Sequence, residues 1–282
     1  MVYAEMVSMK KNRAQQRISI IILVIFCILW ILPVYLMIVA SFKTQQEIAQ
    51  ALYLHLPKKL QIGNYISAFG SISRGLINSA VIASITTVIC VLIGSWGGFF
   101  LSKFRIRYGN TIFFLVAIAS FLPYEVVLIP LTKLLNTLHL LNSYPGLIFT
   151  YTLFNAPLAT LIAATFFQDT PDVLMEAATL DGCNPVQFYW RILVPISIPG
   201  LASIMIIIFS QVWNEFILGL TLTLGDSVKP VMPALDNLKG SLVAQWHIQM
   251  AGAFVTCIPP LLVFILLGKY FIAGLTTGAI KE

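Results

Sequence analysis

Six stretches of this 282-residue chain run on with at most one charged residue each, and that spacing leaves little freedom in what the chain can become. They are residues 18–42, 75–102, 108–132, 144–168, 197–224 and 250–268; the third is interrupted only by Glu125 and the fifth only by Glu215. A helix that crosses a bilayer needs about 20 predominantly apolar residues, because lipid offers its backbone no hydrogen-bond partner. A strand of an outer-membrane barrel needs only about 10, alternating in polarity, so each run is too long for one. The pattern predicts an all-α membrane protein with six transmembrane helices.

The remaining composition agrees and excludes other classes. Charged residues make up 10% of the chain, against roughly 25% in soluble domains. The net charge of +6 does not point to nucleic acid, because the basic residues flank apolar runs instead of gathering on one amphipathic face. Cys27, Cys90, Cys183 and Cys257 show no C-x-x-C spacing, and the three histidines are far apart, so neither a disulfide framework nor a metal site is implied. Gly268-Lys269 is followed by Tyr270 and lacks the upstream glycine of a phosphate-binding loop. The chain is therefore expected to be neither an ATPase nor any other enzyme, and to hold no cofactor of its own.

Orientation follows from Lys and Arg near the ends of the spans. Lys10, Lys11, Arg13 and Arg17 precede the first run, and only Lys43 follows it closely. The first run exceeds the 7–15 residues of a signal-peptide core, which predicts an uncleaved helix entering from the cytoplasm. An even number of spans then returns the C-terminus to the cytoplasm, together with residues 169–196.

Those residues are the least membranous part of the chain. Asp169 or Thr170 is expected to cap a helix over 171–181 that begins with Pro171, where a missing N–H costs nothing. Asp172 and Glu176 complement its positive end, and Gly182 suits its stop. Asn184-Pro185 repeats the device and starts a second helix. The product is a helix–glycine–helix elbow. Two turns of helix are marginal alone, so it must be held by packing on its own bundle or on a partner. A linker lying on lipid fits poorly, since Asp169, Asp172, Glu176 and Asp181 are acidic where interfacial helices favour Lys and Arg.

Glu176-Ala177-Ala178, then Gly182, Ile192 and Pro195 at their spacing, resemble the EAA loop of ATP-binding-cassette importer permeases, with Val194 where leucine is usual. Trp213-Asn214-Glu215-Phe216, Pro123, Ile129-Pro130 and the terminal stretch from Gly268 to Lys281 resemble the carbohydrate-uptake permeases of the maltose type, second membrane subunit. The resemblance implies a type I importer permease fold. It divides the chain into a cytoplasmic tail (1–17), a first span (18–42), an outer loop (43–74), a permease core of five spans (75–268) and a cytoplasmic tail (269–282). The implied partners are a second permease, two ATPase subunits that bind ATP and Mg, a periplasmic or tethered solute-binding protein, membrane lipid, and a sugar or related glycoside. Glu176, Ala177, Ala178, Asp181, Gly182, Ile192 and Pro195 are implied to couple to the ATPase. The tail is implied to reach the ATPase, and loop 225–247 to reach the binding protein.

A charge at the centre of a bilayer costs at least roughly 2.5–3.5 kcal/mol, so Glu125 and Glu215 are expected to face the bundle interior. Gln211 lies one turn before Glu215, with Trp213 and Asn214 beside it. Together with Tyr151 and Asn155 they are the candidates for a sugar path, since sugars need aromatic platforms and polar side chains. Two readings of the acids stand beside this one. Each carboxylate serves only to hydrogen-bond a neighbouring helix, or the protein is an ion-gradient-driven secondary transporter using Glu125 and Glu215.

Overall fold

In the computed structural model, residues 2–50, 53–121, 123–240 and 244–279 are described. They form helices α1 (Val2–Ser41), α2 (Gln45–Ala49), α3 (Gly63–Lys103), α4 (Gly109–Ser120), α5 (Leu128–Thr137) and α6 (Tyr144–Gln168). There follow α7 (Asp172–Leu180), α8 (Pro185–Phe188), α9 (Val194–Ile196), α10 (Ile198–Asn214), α11 (Ile217–Leu222), α12 (Val231–Asp236) and α13 (Trp246–Ala279). No strand occurs among the described residues. Four helices are long and apolar enough to cross a membrane, and up to six spans result if two sharply bent helix pairs each count as one. Residues 280–282 of the expected C-terminal tail lie outside the described residues.

The chain divides into two compact units, Met1–Gly70 with Leu238–Val255, and Ser71–Asn237 with Thr256–Glu282. In the first, the turn after α1 is knotted by polar groups. Asn64 donates to the carbonyls of Ser41 and Lys43, both at 2.8 Å, and Lys43 is buried with its Nζ donating to the Tyr53 carbonyl. Thr44 and Glu47 close a capping box on α2. Glu47 also accepts from the Lys58 N–H, and these backbone donors hold its carboxyl below its ordinary range. The expected outer loop 43–74 therefore contains α2 and the start of α3, which begins at Gly63, twelve residues before the apolar run. An uncharged run marks what lipid must cover; polar residues such as Asn64 continue the helix beyond it.

The second unit is organised on a seam between α3 and α6. A methyl group built at Gly94 would stand 2.6 Å from the Ala159 Cβ, and one at Gly98 would stand 2.6 Å from the Ala164 backbone nitrogen. Helices in lipid gain little from hydrophobicity, so close backbone approach through small residues supplies the attraction. Near the other end of α3, Asn78 donates to the carbonyls of Ser227 and Lys229 and accepts from the Tyr144 hydroxyl. Ser79 accepts from the Val231 N–H. Much of loop 225–236 is thereby strapped to α3.

The fifth apolar run departs from expectation. Instead of one helix over 197–224, α10 stops at Asn214 and α11 resumes at Ile217. At its start, the helical stretch 185–196 meets α10 at 78°.

Candidate functional site

Two regions carry chemistry. The first is the elbow. α7 ends in a Schellman arrangement: the Cys183 N–H donates to the Ala178 carbonyl and the Gly182 N–H to the Thr179 carbonyl, with Gly182 at φ +83°. Asn184 and Gln187 then form a reciprocal capping box on α8, as Asn184-Pro185 predicts. The start of α7 differs from expectation. Pro171 occupies the cap position itself and, having no polar side chain, gives the helix no side-chain cap. Lys103, at the end of α3, holds this start from outside without capping it: its Nζ donates to the Thr170 carbonyl at 2.5 Å and pairs with Asp172 at 2.7 Å.

The two arms of the elbow face different surroundings. In the second, Phe188, Tyr189 and Leu193 are buried. The Tyr189 hydroxyl meets Ser95 Oγ at 2.6 Å, and its ring stacks on Trp96 with centroids 4.5 Å apart. Residues Tyr189–Leu193 form a π-helical turn in which the Val194 N–H reaches the Tyr189 carbonyl, just before Pro195, which has no N–H. Ile192 is half-buried and Pro195 exposed. In the first arm only Ala178 is buried; Glu176, Ala177 and Asp181 are exposed, and so are Val173 and Leu180, at 69% and 90%. That arm presents mixed acidic and apolar surface, uncovered among the described residues.

The second region is the break between α10 and α11. A helix interrupted inside an apolar layer leaves backbone N–H groups without partners. Glu215 supplies them. Its Oε1 accepts from the Leu218 N–H at 2.8 Å and its Oε2 from the Gly219 N–H at 2.9 Å. The Tyr124 hydroxyl donates to Oε1 at 3.2 Å and the Tyr151 hydroxyl to Oε2 at 2.9 Å. One carboxylate thus caps α11 and ties it to α6 and to the short 3-10 turn Tyr124–Val127. An ionised carboxyl has about four acceptor sites, and all four are engaged by protein donors.

The break opens on a cavity of about 530 Å³ whose lining includes Tyr124, Tyr151, Asn155, Gln211, Asn214 and Glu215. Five of the residues singled out in the sequence therefore meet there, Tyr151 among them. Two do not line it. Trp213 is 1% exposed, stacks on Phe209 and donates through Nε1 to the Thr256 carbonyl, so it packs α10 against α13. Glu125 is exposed on the 3-10 turn, and its neighbour Tyr124 reaches the cavity instead. Sequence reasoning missed Tyr124 and Lys103. An aromatic residue beside a carboxylate in an apolar run was the available sign for the first, and a lysine closing such a run for the second.

Broken membrane helices around a polar cavity, with a capped elbow at one end of the bundle, define a membrane permease. Residues 91–277 match the family model described as "Binding-protein-dependent transport system inner membrane component". The chain belongs to this family: it is a multi-pass inner-membrane transport component, and ATP hydrolysis belongs to separate subunits. It is 33% identical over 260 residues to the glucose import system permease protein GlcU of Saccharolobus solfataricus, covering 90% of this chain and 91% of that one. It is 41% identical over 185 residues to a probable ABC transporter permease of Pyrococcus horikoshii, covering 65% and 67%. Among solved structures, a bacterial ABC transporter involved in the import of the acidic polysaccharide alginate shares the fold, with a TM-score of 0.79 at 20% identity over 93% of this chain and 98% of that one. The methionine transporter MetNI gives 0.61 at 16% identity over 73% and 97%. Membership sets aside the ion-gradient alternative.

Proposed function

We propose that the chain is one of two different permease subunits of a sugar importer, with six spans and both termini in the cytoplasm. The 33% identity to a glucose import permease across nine-tenths of both chains carries the sugar assignment. An arabinooligosaccharide permease of Bacillus subtilis, AraQ, 29% identical over 90% of this chain and 92% of that one, supports the same class. Two ATPase subunits holding ATP and Mg bind below, and a solute-binding protein delivers a mono- or disaccharide or a related glycoside above. In this reading residues 1–17 and 269–282 are cytoplasmic tails, 43–74 is an outer loop, and 75–268 is the permease core.

The elbow is the ATPase contact, with Glu176, Ala177, Ala178, Asp181, Gly182, Ile192 and Pro195 forming or shaping it. The exposed Val173 and Leu180 beside Glu176 support this reading, because such apolar surface needs a partner. Asn155, Gln211 and Asn214 are the groups left to meet sugar hydroxyls in the cavity, because Glu215 is occupied by protein donors.

Reconstitution with the second permease, the ATPase and the binding protein tests the function. ATP-dependent uptake of whichever sugar the binding protein retains is the expected result. An uptake that follows an ion gradient and ignores ATP overturns it. Glu176→Lys tests the contact: the expected outcome is a permease that still inserts but no longer co-purifies the ATPase, and normal co-purification with normal uptake would sink the assignment.

A further inference from the structure

A docking elbow can drive transport only if its displacement reaches the other end of the membrane domain, and its two chain ends lead into α6 and, through a 78° bend, into α10. The structure supplies a third attachment. Lys103 grips the start of the elbow through the Thr170 carbonyl and Asp172, and its side chain is 2% exposed while that of Asp172 is 78% exposed. Eight residues earlier on the same helix, Ser95 and Trp96 hold the second arm through Tyr189. Both arms are thus fastened to α3, not only to the spans they connect in sequence. From Lys103 back to Asn78 is 25 residues without a proline, about 37 Å of helix at 1.5 Å per residue, which exceeds the roughly 30 Å apolar core of a bilayer. At that far end Asn78 and Ser79 hold Ser227, Lys229 and Val231. Gly75 lets the strap in close, since a methyl group there would lie 3.1 Å from the Val231 Cα.

We infer that α3 is the rod that links the elbow to loop 225–236, and that Lys103 is the positioning residue that engages it. The inference rests on the reading of the elbow as the ATPase contact. The rod works because a helix without proline transmits an axial or rotational displacement with little loss, and because each end is fixed by directed bonds to backbone groups that move with their segments. Lys103 touches neither nucleotide nor solute in this scheme. Its removal should therefore separate two properties that ordinary damage would lower together, ATPase binding and response to the binding protein.

The experiment uses the full reconstituted complex and compares Lys103→Met, Lys103→Arg and Glu176→Lys. In Lys103→Met the ATPase subunits should still co-purify, while stimulation of ATP hydrolysis by the sugar-loaded binding protein falls about tenfold, the scale of an ordinary allosteric coupling. Lys103→Arg keeps a buried cation in reach of the carbonyl and should restore most of the stimulation. If Lys103→Met does not accumulate in the membrane, the pair Asp172→Asn with Tyr189→Phe removes one bond at each attachment and should lower stimulation without loss of the ATPase. Full stimulation in Lys103→Met, or in the pair, overturns the rod. Loss of the ATPase in Lys103→Met also overturns it, since Lys103 would then shape the docking surface. A Glu176→Lys complex that keeps its ATPase defeats the docking reading itself, whereas retained stimulation in Lys103→Met beside a lost ATPase in Glu176→Lys defeats the rod alone.

Discussion

Glu176 and Glu215 are the same residue type in one very apolar chain, and their surroundings assign them opposite work. Glu176 is exposed on the first arm of the elbow, beside the exposed apolar residues Val173 and Leu180. Glu215 is drawn into the bundle, where two N–H and two O–H groups converge on it. A carboxylate in water costs the fold almost nothing and is free to serve a partner; one within an apolar layer persists only where protein donors replace its hydration. The difference teaches that an acidic residue in a membrane span is no sign of a solute site until its acceptors have been counted.

The most damaging change should strike the scaffold that both glutamates depend on. Gly98→Leu would drive a side chain into the backbone of Ala163 and Ala164, which cannot give way as a flexible side chain would. The variant is expected not to accumulate in membranes, as judged by immunoblot of the membrane fraction. Normal accumulation would show that the α3–α6 seam is looser than its geometry.

Next comes Glu215→Gln. Whichever way the amide is turned, its NH2 faces either the Leu218 or the Gly219 backbone N–H, donor against donor. One buried donor left unpaired costs about 1–3 kcal/mol. Thermal unfolding in detergent should therefore occur at a lower temperature in Glu215→Gln than in the wild type, and an equal midpoint would break the contrast between the two acids. The same substitution at Glu176 should leave the midpoint where it was.

Gly182 permits a graded test of the elbow. Its φ of +83° lies where L-residues are strained, yet nothing surrounds the position within 4 Å, so only the backbone is at stake. Gly182→Val should weaken ATPase co-purification, with a conformational cost of about 1–2 kcal/mol, whereas Gly182→Asn, which tolerates this region, should stay near wild type. Equal behaviour of the two would mean that the bend is not held at this residue.

The smallest effect is expected at Asn214→Ala. Asn214 is exposed in the cavity, and its amide already donates to the Ser210 carbonyl at 2.8 Å. Losing one sugar hydrogen bond is worth about 0.5–1.5 kcal/mol, or roughly two- to tenfold in apparent affinity for uptake. Stability and ATPase stimulation should not change. Unaltered uptake kinetics would remove Asn214 from the path and leave the cavity to Asn155 and Gln211.

Much of this was legible in the chain itself. Long uncharged runs mark membrane helices because lipid tolerates nothing else, and the capping at Asn184 and the stop at Gly182 are local chemistry readable from neighbours a few residues apart. Trp213 could not be placed in the same way. Its position beside Asn214 and Glu215 suggests a shared face, but the helix turns about 100° per residue, and only the packing of α13 decides that it points away from the cavity. Lys103 shows the same limit on a smaller scale: nothing near it in sequence announces that it will reach Thr170 and Asp172, 67 and 69 positions later in the chain.

The amino-acid sequence by itself determined that this protein spans a membrane with apolar helices, that it carries a capped helix–glycine–helix elbow, and which family signature that elbow bears. Those properties depend on composition and on spacings within some twenty residues, where solvent and backbone chemistry act directly. Tertiary structure alone decided that Tyr124 and Tyr151 would secure the Glu215 carboxylate, and that one helix would hold both arms of the elbow and the strap at its far end. Such assignments are made by donors and acceptors far apart in the chain, and their partnerships exist only once the helices have packed.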